Sequence, residues 1–231
     1  MLFLLPDWVE PVARYMLETG LRNTLRMAAF SLVFATVIGV VLGTLLTIKF
    51  APSRWLIRLY IEVWRGLPVI VTLFVVHFGL TPLLGTRFEF SPLTSGIITL
   101  TLWGSAQIAE ATRGAVQSIP REQHEASSAL GFGWVGRHTY VIFPQAFRRL
   151  IPPLVSLLVG IILNTTLVQI IGGTELLESG EQSVERLNAI PPIGIFEIHA
   201  FEIYGAVAVV FFVMCFPLTR LAAYLERRLV V

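Results

Sequence analysis

Charged residues are scarce in this chain, and five long stretches have none. Only 14% of the 231 residues are charged and 55% are hydrophobic, which is too apolar for an ordinary soluble domain. The stretches without Asp, Glu, Lys or Arg are 27–48, 66–86, 90–109, 150–174 and 203–219. Since about 20 such residues cross a bilayer as a helix, they predict an all-α integral membrane protein with five transmembrane helices. We place these at about 21–49, 60–82, 90–113, 150–174 and 202–224, in a single domain covering 1–231.

Residues that could form a disulfide, bind a metal or catalyse a reaction are also few. The single cysteine, Cys215, cannot form a disulfide within the chain, and we interpret it as a packing residue. The histidines, at positions 77, 124, 138 and 199, lack the spacing of a metal site. The nucleotide-binding sequence G-x-x-x-x-G-K-S/T is missing, and no paired Asp or Ser/His/Asp set stands out. We therefore expect a protein that is not an enzyme and that holds neither metal nor nucleotide itself.

Positive charge is nearly absent from two of the segments that join the stretches. Segments 81–92 and 175–202 hold one arginine each, and the second also carries six glutamates. Arginine and lysine instead follow the first, third and fifth stretches. By the positive-inside tendency those ends and the C-terminus are cytoplasmic, while the two segments and the N-terminus face outward. Charge that is segregated by loop also argues against a nucleic-acid partner.

The first 20 residues lack the features of a signal peptide. They have no positive n-region and no small-residue cleavage site. Pro6, Trp8 and the mixed charges indicate an extracytoplasmic, interfacial segment that leads into the first span.

A short helix is predicted at Arg121–Leu130, inside the polar segment between the third and fourth stretches. Ser118 is a candidate cap, Pro120 suits the first turn, Glu122 suits the positive end of the helix dipole, and Gly131 suits the left-handed position after the helix. The small side chains of this helix leave low relief and its charges would fix an orientation, so it could dock in the groove of a partner. An ordinary solvated loop helix is equally consistent with the spacing.

The same residues belong to a longer pattern that resembles the membrane-spanning permease subunits of type I ABC importers. The family signature is Glu-Ala-Ala, three residues, Gly, nine residues, then Ile-x-Leu-Pro. This chain has Glu125-Ala126-Ser127, Gly131 and Val141-Ile142-Phe143-Pro144 at that spacing. Four further segments look like the polar amino-acid branch of the family: Glu62 to Pro68, Ala109 to Pro120, Pro144 to Ala146 and Thr165 to Val168. The resemblance extends from about Gly20 onward.

The resemblance implies a type I ABC importer permease fold with a cytoplasmic coupling helix at 121–131. It also implies four kinds of partner in the bacterial cytoplasmic (inner) membrane: a dimer of ATPase subunits that bind ATP and Mg, a second permease chain that is identical or related, an extracytoplasmic substrate-binding protein, and membrane lipid. The residues that it assigns to ATPase coupling are Arg121, Glu122, Glu125, Ala126, Ser127, Gly131 and Pro144. Pro144 would fix the re-entry of the chain into the fourth span, which Pro152-Pro153 is expected to open.

Polar side chains inside the apolar stretches form a second candidate site. They are Ser105 and Gln107 in the third stretch and Asn164, Thr165, Thr166 and Gln169 in the fourth. Hydrogen bonding between helices and lining of a solute path are both consistent with them. The family usually has Lys-Asp where this chain has Leu163-Asn164. The missing carboxylate favours a neutral or acidic polar amino acid, of the glutamate or glutamine type, over a cationic one.

Other residues are interpreted as gating or structural: Glu62, Arg65, Gly66, Pro68 and Glu110. Glu62 and Arg65 either pair on one helix face or act beside the break that Gly66-Leu67-Pro68 introduces. Gln107 and Glu110 are expected to need partners from the opposing helix or from a partner subunit. The sequence Gly39-x-x-x-Gly43 predicts close packing of the first span against a neighbour.

The sequence thus predicts the membrane permease subunit of an ATP-driven amino-acid importer. Transport of another small polar solute is one alternative. An ion-coupled secondary carrier is another, although the central parts of the fourth and fifth stretches contain no carboxylate for a coupling ion.

Overall fold

The computed structural model of the chain describes residues 6–47, 51–80, 90–188 and 199–229, without the side chains of 51–53 and 188. All regular elements within these ranges are helices. They are α1 (Val9–Tyr15), α2 (Arg22–Leu45), α3 (Ala51–Gly66), α4 (Val69–Phe74), α5 (Pro92–Gln117), α6 (Arg121–Ala129), α7 (Trp134–Arg137), α8 (Phe143–Asn164), α9 (Leu176–Asn188) and α10 (Ala200–Leu229). Wider π-helical turns follow α1, α4 and α7 at Met16–Leu21, Val75–Leu80 and His138–Ile142, and a 3₁₀ helix, Thr165–Ile171, follows α8.

Three helical segments are long and apolar enough to cross a membrane: Val9–Leu45, Trp134–Ile171 and Ala200–Leu229. The interrupted pair Arg54–Gly66 and Val69–Leu80 adds a fourth if both parts belong to one span. The third predicted span lies in the 26-residue helix α5. This helix is not among the segments that are apolar enough to cross a membrane, because it contains many hydroxyl and amide side chains. The multi-pass, all-helical prediction is confirmed for the described residues, whereas the count of five spans is not.

The start of the fourth span differs from the expectation. Pro152 and Pro153 do not open a helix, because α8 begins at Phe143 and both prolines lie inside it. Each proline removes one backbone N–H from the helical ladder. The π-helical turn His138–Ile142 ends just before Pro144, and such a wide turn is a common accommodation of a disrupted ladder.

The chain divides into two compact units, each described here by itself. The first is drawn from Met1–Phe30, Val69–Thr99 and Ile161–Phe216. It holds one buried cluster of Met27, Leu73, Val168 and Ile171, and another of Met16, Leu176, Ile203 and Val207. The second cluster packs the amphipathic helix α9 against the π-helical turn after α1 and against α10.

The second unit is drawn from Ser31–Pro68, Leu100–Gly160 and Pro217–Val231. Its central contact joins α2 to α5 at the two glycines of the Gly39-x-x-x-Gly43 pattern. A Cβ atom on Gly39 would lie 2.6 Å from Cβ of Ile108, and one on Gly43 would meet the carbonyl oxygen of Ala109 and lie 2.6 Å from Cβ of Thr112. The predicted close packing is therefore confirmed, and it leaves no room for a side chain.

We expect Gly43→Ala to destabilise the second unit by about 1–3 kcal/mol, because the added methyl overpacks the α2–α5 contact. The matched control is Gly114→Ala in α5, where no neighbouring atom lies within 4 Å of the added Cβ. That change should be neutral or stabilise the helix by up to about 1 kcal/mol. Thermal unfolding of the purified variants measures the difference, and equal unfolding temperatures would contradict the packing assignment.

Candidate coupling and substrate sites

The candidate coupling helix α6 presents a charged outer face. Arg121, Glu122, Glu125 and Ala126 are all exposed. Arg121 Nε donates a hydrogen bond to Glu125 Oε1 at 2.7 Å, with both side chains mostly in solvent. Such an exposed pair contributes little to stability, so these charges are available to a partner.

Ser127 lies on the opposite face of α6, unlike the surface position expected of it. It is 2% exposed, and its hydroxyl donates to the carbonyl oxygens of Gln123 and His124 at 2.7 and 3.0 Å. The small side chain allows α6 to pack closely on the structure beneath it.

The helix α6 begins without the predicted side-chain cap. Pro120 occupies the capping position with an extended ψ of 143°. The Ser118 hydroxyl instead donates to the carbonyl oxygen of Ala115, while Arg149 Nη1 donates to the Ser118 carbonyl oxygen at 2.6 Å and to its hydroxyl at 2.8 Å. The prediction for Ser118 is wrong because a cation 31 residues away binds this loop, and local spacing does not reveal that contact.

The end of α6 confirms the prediction for Gly131. Its φ of +84° is left-handed, a conformation that glycine adopts without strain. The Gly131 N–H donates to the Ser128 carbonyl oxygen at 3.0 Å and the Phe132 N–H to the Ser127 carbonyl oxygen at 3.1 Å. These two bonds form a Schellman motif. Together with Arg149 at the other end, they fix both ends of α6.

In the second unit, the two candidate substrate residues have different surroundings. Ser105 is fully buried and bonded to the Tyr60 hydroxyl at 2.6 Å and to the Leu102 carbonyl oxygen at 3.0 Å, so its hydroxyl fastens α3 to α5. Gln107, by contrast, lines a cavity of about 350 Å³ between α5 and α8, beside Trp103 and Ser156. Of the two, Gln107 is the one that faces open space.

In the first unit, Asn164, Thr165, Thr166 and Gln169 lie at the junction of α8 and its 3₁₀ extension. The hydroxyls of Thr165 and Thr166 donate to backbone carbonyl oxygens three residues earlier, at 2.7 and 2.8 Å. Gln169 Oε1 is buried and has no hydrogen-bond partner among the described residues. An unmade bond is costly at such a position. Among the described residues of the first unit, the hydroxyls of Thr72 and Thr99 share this condition with the Gln169 amide oxygen.

The gating candidates form no shared ion pair. None of the ion pairs between described side chains joins Glu62 to Arg65, and both residues are exposed on α3, which ends at Gly66 before Leu67-Pro68. Glu110 accepts a hydrogen bond from Arg113 Nε at 3.0 Å. An arginine one turn later in α5 thus reaches Glu110, and a partner from another helix or subunit stays a prediction.

Glu175 is a residue that sequence reasoning missed. The sequence places it among six acidic residues of an outer segment, yet its side chain is fully buried. Its carboxylate accepts hydrogen bonds from the backbone N–H groups of Leu177 and Glu178, at 3.0 and 2.9 Å, and so caps α9. Burial raises the pKa of the Glu175 carboxyl, and the two N–H donors partly offset that rise. Its position just before an amphipathic run was the available signal.

Residues 35–231 match a protein family described as "Binding-protein-dependent transport system inner membrane component". The chain is 33% identical over 225 residues to the glutamine transport system permease protein GlnP of Escherichia coli (strain K12), covering 96% of this chain and 97% of the relative. It is 30% identical over 210 residues to the probable glutamine ABC transporter permease protein GlnM of Bacillus subtilis (strain 168), covering 91% of each.

Two solved structures share the fold. The crystal structure of an amino acid ABC transporter with histidines is 25% identical and has a TM-score of 0.79, with 97% of this chain and 100% of that chain covered. An inward-facing MetNI methionine ABC transporter is 21% identical and has a TM-score of 0.74, with 95% and 98% covered. The fold predicted from the resemblance is confirmed.

We expect Gly131→Ala to loosen the end of α6, because a left-handed conformation costs a residue with a side chain about 1–2 kcal/mol. Gly133→Ala is the control, since Gly133 has a φ of −63° in the extended region and open space around its Cβ position. Hydrogen exchange at the Gly131 and Phe132 amides measures the effect. Exchange that is faster in Gly131→Ala alone is the expected result, and equal exchange in both variants would contradict it.

Proposed function

This chain belongs to the family of binding-protein-dependent transport system inner membrane components, and on that premise we propose that it is the permease subunit of an ATP-driven importer of a polar amino acid. The observation that carries this proposal is α6, a helix with an exposed charged face and two fixed ends at the signature position of the family. The chain would form half of a translocation pathway and would receive its driving force from outside.

The driving force is proposed to come from a cytoplasmic dimer of ATPase subunits that bind ATP and Mg. In this proposal Arg121, Glu122, Glu125 and Ala126 contact the ATPase directly. Ser127 and Gly131 act differently, by seating the helix and ending it. Pro144 lies next to the π-helical turn that separates α7 from α8, and it would fix the direction in which the chain re-enters the membrane.

A rigid α6 explains how a distant motor can move the spans. Arg149 belongs to α8 and bonds the loop before α6, and Gln145 of α8 donates to the Gln123 side chain of α6 at 3.4 Å. A pull on α6 would therefore reach α8. Closure of the ATPases around ATP would shift the permease between inward- and outward-facing states, and transport direction would follow from the different substrate affinities of those states.

The remaining partners follow from the family and from the exposed surface. Apolar side chains of α2 are more than half exposed, among them Phe30, Val33 and Val37, which suits contact with lipid or with a second permease chain that is identical or related. An extracytoplasmic binding protein would deliver the substrate. The arginine-rich ends would lie in the cytoplasm, with the N-terminus outside and the C-terminus inside.

The substrate is proposed to be a neutral or acidic polar amino acid of the glutamine or glutamate type. Two relatives, 33% and 30% identical to this chain, carry glutamine in their names. Asn164 also supplies no negative charge that would favour a cationic substrate. The unpartnered Gln169 amide oxygen and the open position of Gln107 are the groups best suited to a polar solute in their respective units. Another small polar solute is the alternative, because the MetNI methionine transporter has the same fold.

We expect Glu125→Lys to abolish ATP-coupled uptake, because it reverses a charge on the docking face. The matched control is Glu18→Lys. Glu18 pairs with Arg14 at the same four-residue spacing and equals Glu125 in side-chain exposure, at 64%. Uptake into proteoliposomes that contain the whole complex measures the effect, with membrane insertion checked separately. Normal uptake by Glu125→Lys, or equal loss in both variants, would reject the docking role.

We expect the reconstituted complex with its binding protein to transport glutamine or glutamate in preference to arginine or lysine. Asn164→Asp should then let cationic amino acids compete about tenfold better, because a carboxylate returns to the solute path, while Asn164→Gln should not. Competition assays with labelled substrate measure both effects. A strong preference of the unaltered complex for arginine or lysine would show that the inference from Asn164 is wrong.

A further inference from the structure

A second cavity lies in the second unit, directly beside the coupling helix. It has a volume of about 610 Å³, and its walls come from the ends of α2 and α5, the start of α3, the helix α6 and the segment that begins with α7. None of the residues that line it belongs to the substrate or docking sets described above. Its chemistry is therefore separate from both.

The described walls of this cavity carry two arginines, two histidines and no carboxylate. Arg54, Arg137, His124 and His138 line it, and its nine described lining residues include no carboxylate. Of the acidic residues of α5 and α6, Glu110 binds Arg113, Glu125 binds Arg121 and Glu122 is exposed. Burial, and then the neighbouring His138 and Arg137, lower the pKa of His124. The two arginines thus give the cavity wall a positive charge that no residue of its described lining offsets.

Arg137, in this wall, has an unsatisfied hydrogen-bond donor. Its Nε atom is buried and has no partner among the described residues, and a guanidinium cannot escape the cost by losing its proton. The wall around it is rigid, because Trp134 stacks on the His138 ring at 4.1 Å and His138 Nδ1 donates to the Trp134 carbonyl oxygen at 2.8 Å. The Arg137 side chain also lines the cavity, so its guanidinium group is available to an oxyanion acceptor that binds there.

The surroundings indicate what kind of anion fits. Arg54 belongs to α3, which exposes Trp55 and Leu56 by 65% and 60% beside its cationic residues, a pattern typical of helices at a membrane interface. Leu46 and Trp134 add apolar and aromatic surface to the cavity itself. Inorganic phosphate would use only the basic part, whereas a phospholipid would use both, with its phosphodiester on the basic part and the start of its acyl chains on the apolar part.

We propose that this cavity binds the phosphoryl headgroup of an anionic phospholipid from the cytoplasmic leaflet. Arg54 and Arg137 donate to the phosphodiester oxygens, as guanidinium groups do in phosphate sites, and basic pockets between helices at this side of a membrane suit such headgroups. The bound lipid would join α3 to the segment after α6 and lie against His124 of the coupling helix. The proposal rests on the cytoplasmic placement of α6 given above.

The test uses the whole complex in nanodiscs of zwitterionic phosphatidylcholine with increasing phosphatidylglycerol, and it measures the lipid that is retained after delipidation by mass spectrometry. The unaltered complex should retain phosphatidylglycerol selectively. The double variant Arg54→Gln, Arg137→Gln should need about tenfold more of this lipid for the same retention. Arg148→Gln removes an exposed cation of α8 that does not line the cavity, and it should behave as the unaltered complex.

A variant that preserves the charge serves as a further control. Arg137→Lys preserves the charge and should keep most of the retention, so a loss in the double variant alone is not explained by misfolding. Retention needs no transport activity, and it can succeed when the uptake tests fail. Equal phosphatidylglycerol retention in the unaltered complex and the double variant would overturn the proposal. So would displacement of the lipid by millimolar inorganic phosphate, or loss of the ATPase from the double variant with retention unchanged.

Discussion

A short helix can transmit force only when both of its ends are held. In this protein one end of α6 is held by contacts that are local in sequence, and the other end by a contact that is distant in sequence. The Schellman motif at Gly131 is local and needs a residue that adopts a positive φ, whereas Arg149 reaches the loop before α6 from another helix. The proposed docking face, the close packing at Ser127 and the proposed transmission to α8 all depend on these two contacts.

The sequence could predict whatever local chemistry decides. Stretches without charge must satisfy their backbone groups internally in lipid, which predicts the helices found in their described parts. Gly131 directly follows a short helix, where a left-handed residue is needed. The Gly39-x-x-x-Gly43 spacing likewise predicts its own contact. These predictions succeed because the determining atoms lie within a few residues of one another, or because the pattern leaves a single physical solution.

Predictions failed where a distant side chain or a longer helix decided the outcome. Ser118 does not cap α6, because Arg149 binds it across 31 residues of sequence. Pro152 and Pro153 do not begin a helix, since α8 has already started at Phe143. Glu175 was counted as one of several outer acids, yet it is a buried cap. Local sequence does not reveal which hydrogen-bond partner a polar side chain has in the folded protein. The partner decides whether the side chain is structural or is free to act in function.

In the complete complex, the outer face of α6 is proposed to be covered by an ATPase subunit. A single cysteine introduced as Ala126→Cys, in a chain with Cys215→Ser, tests this by labelling with a water-soluble maleimide. Labelling should be rapid in the isolated permease and strongly slowed in the complete complex, while a control cysteine at Ser91 should label equally in both. Equal labelling of position 126 with and without the ATPase would contradict the account.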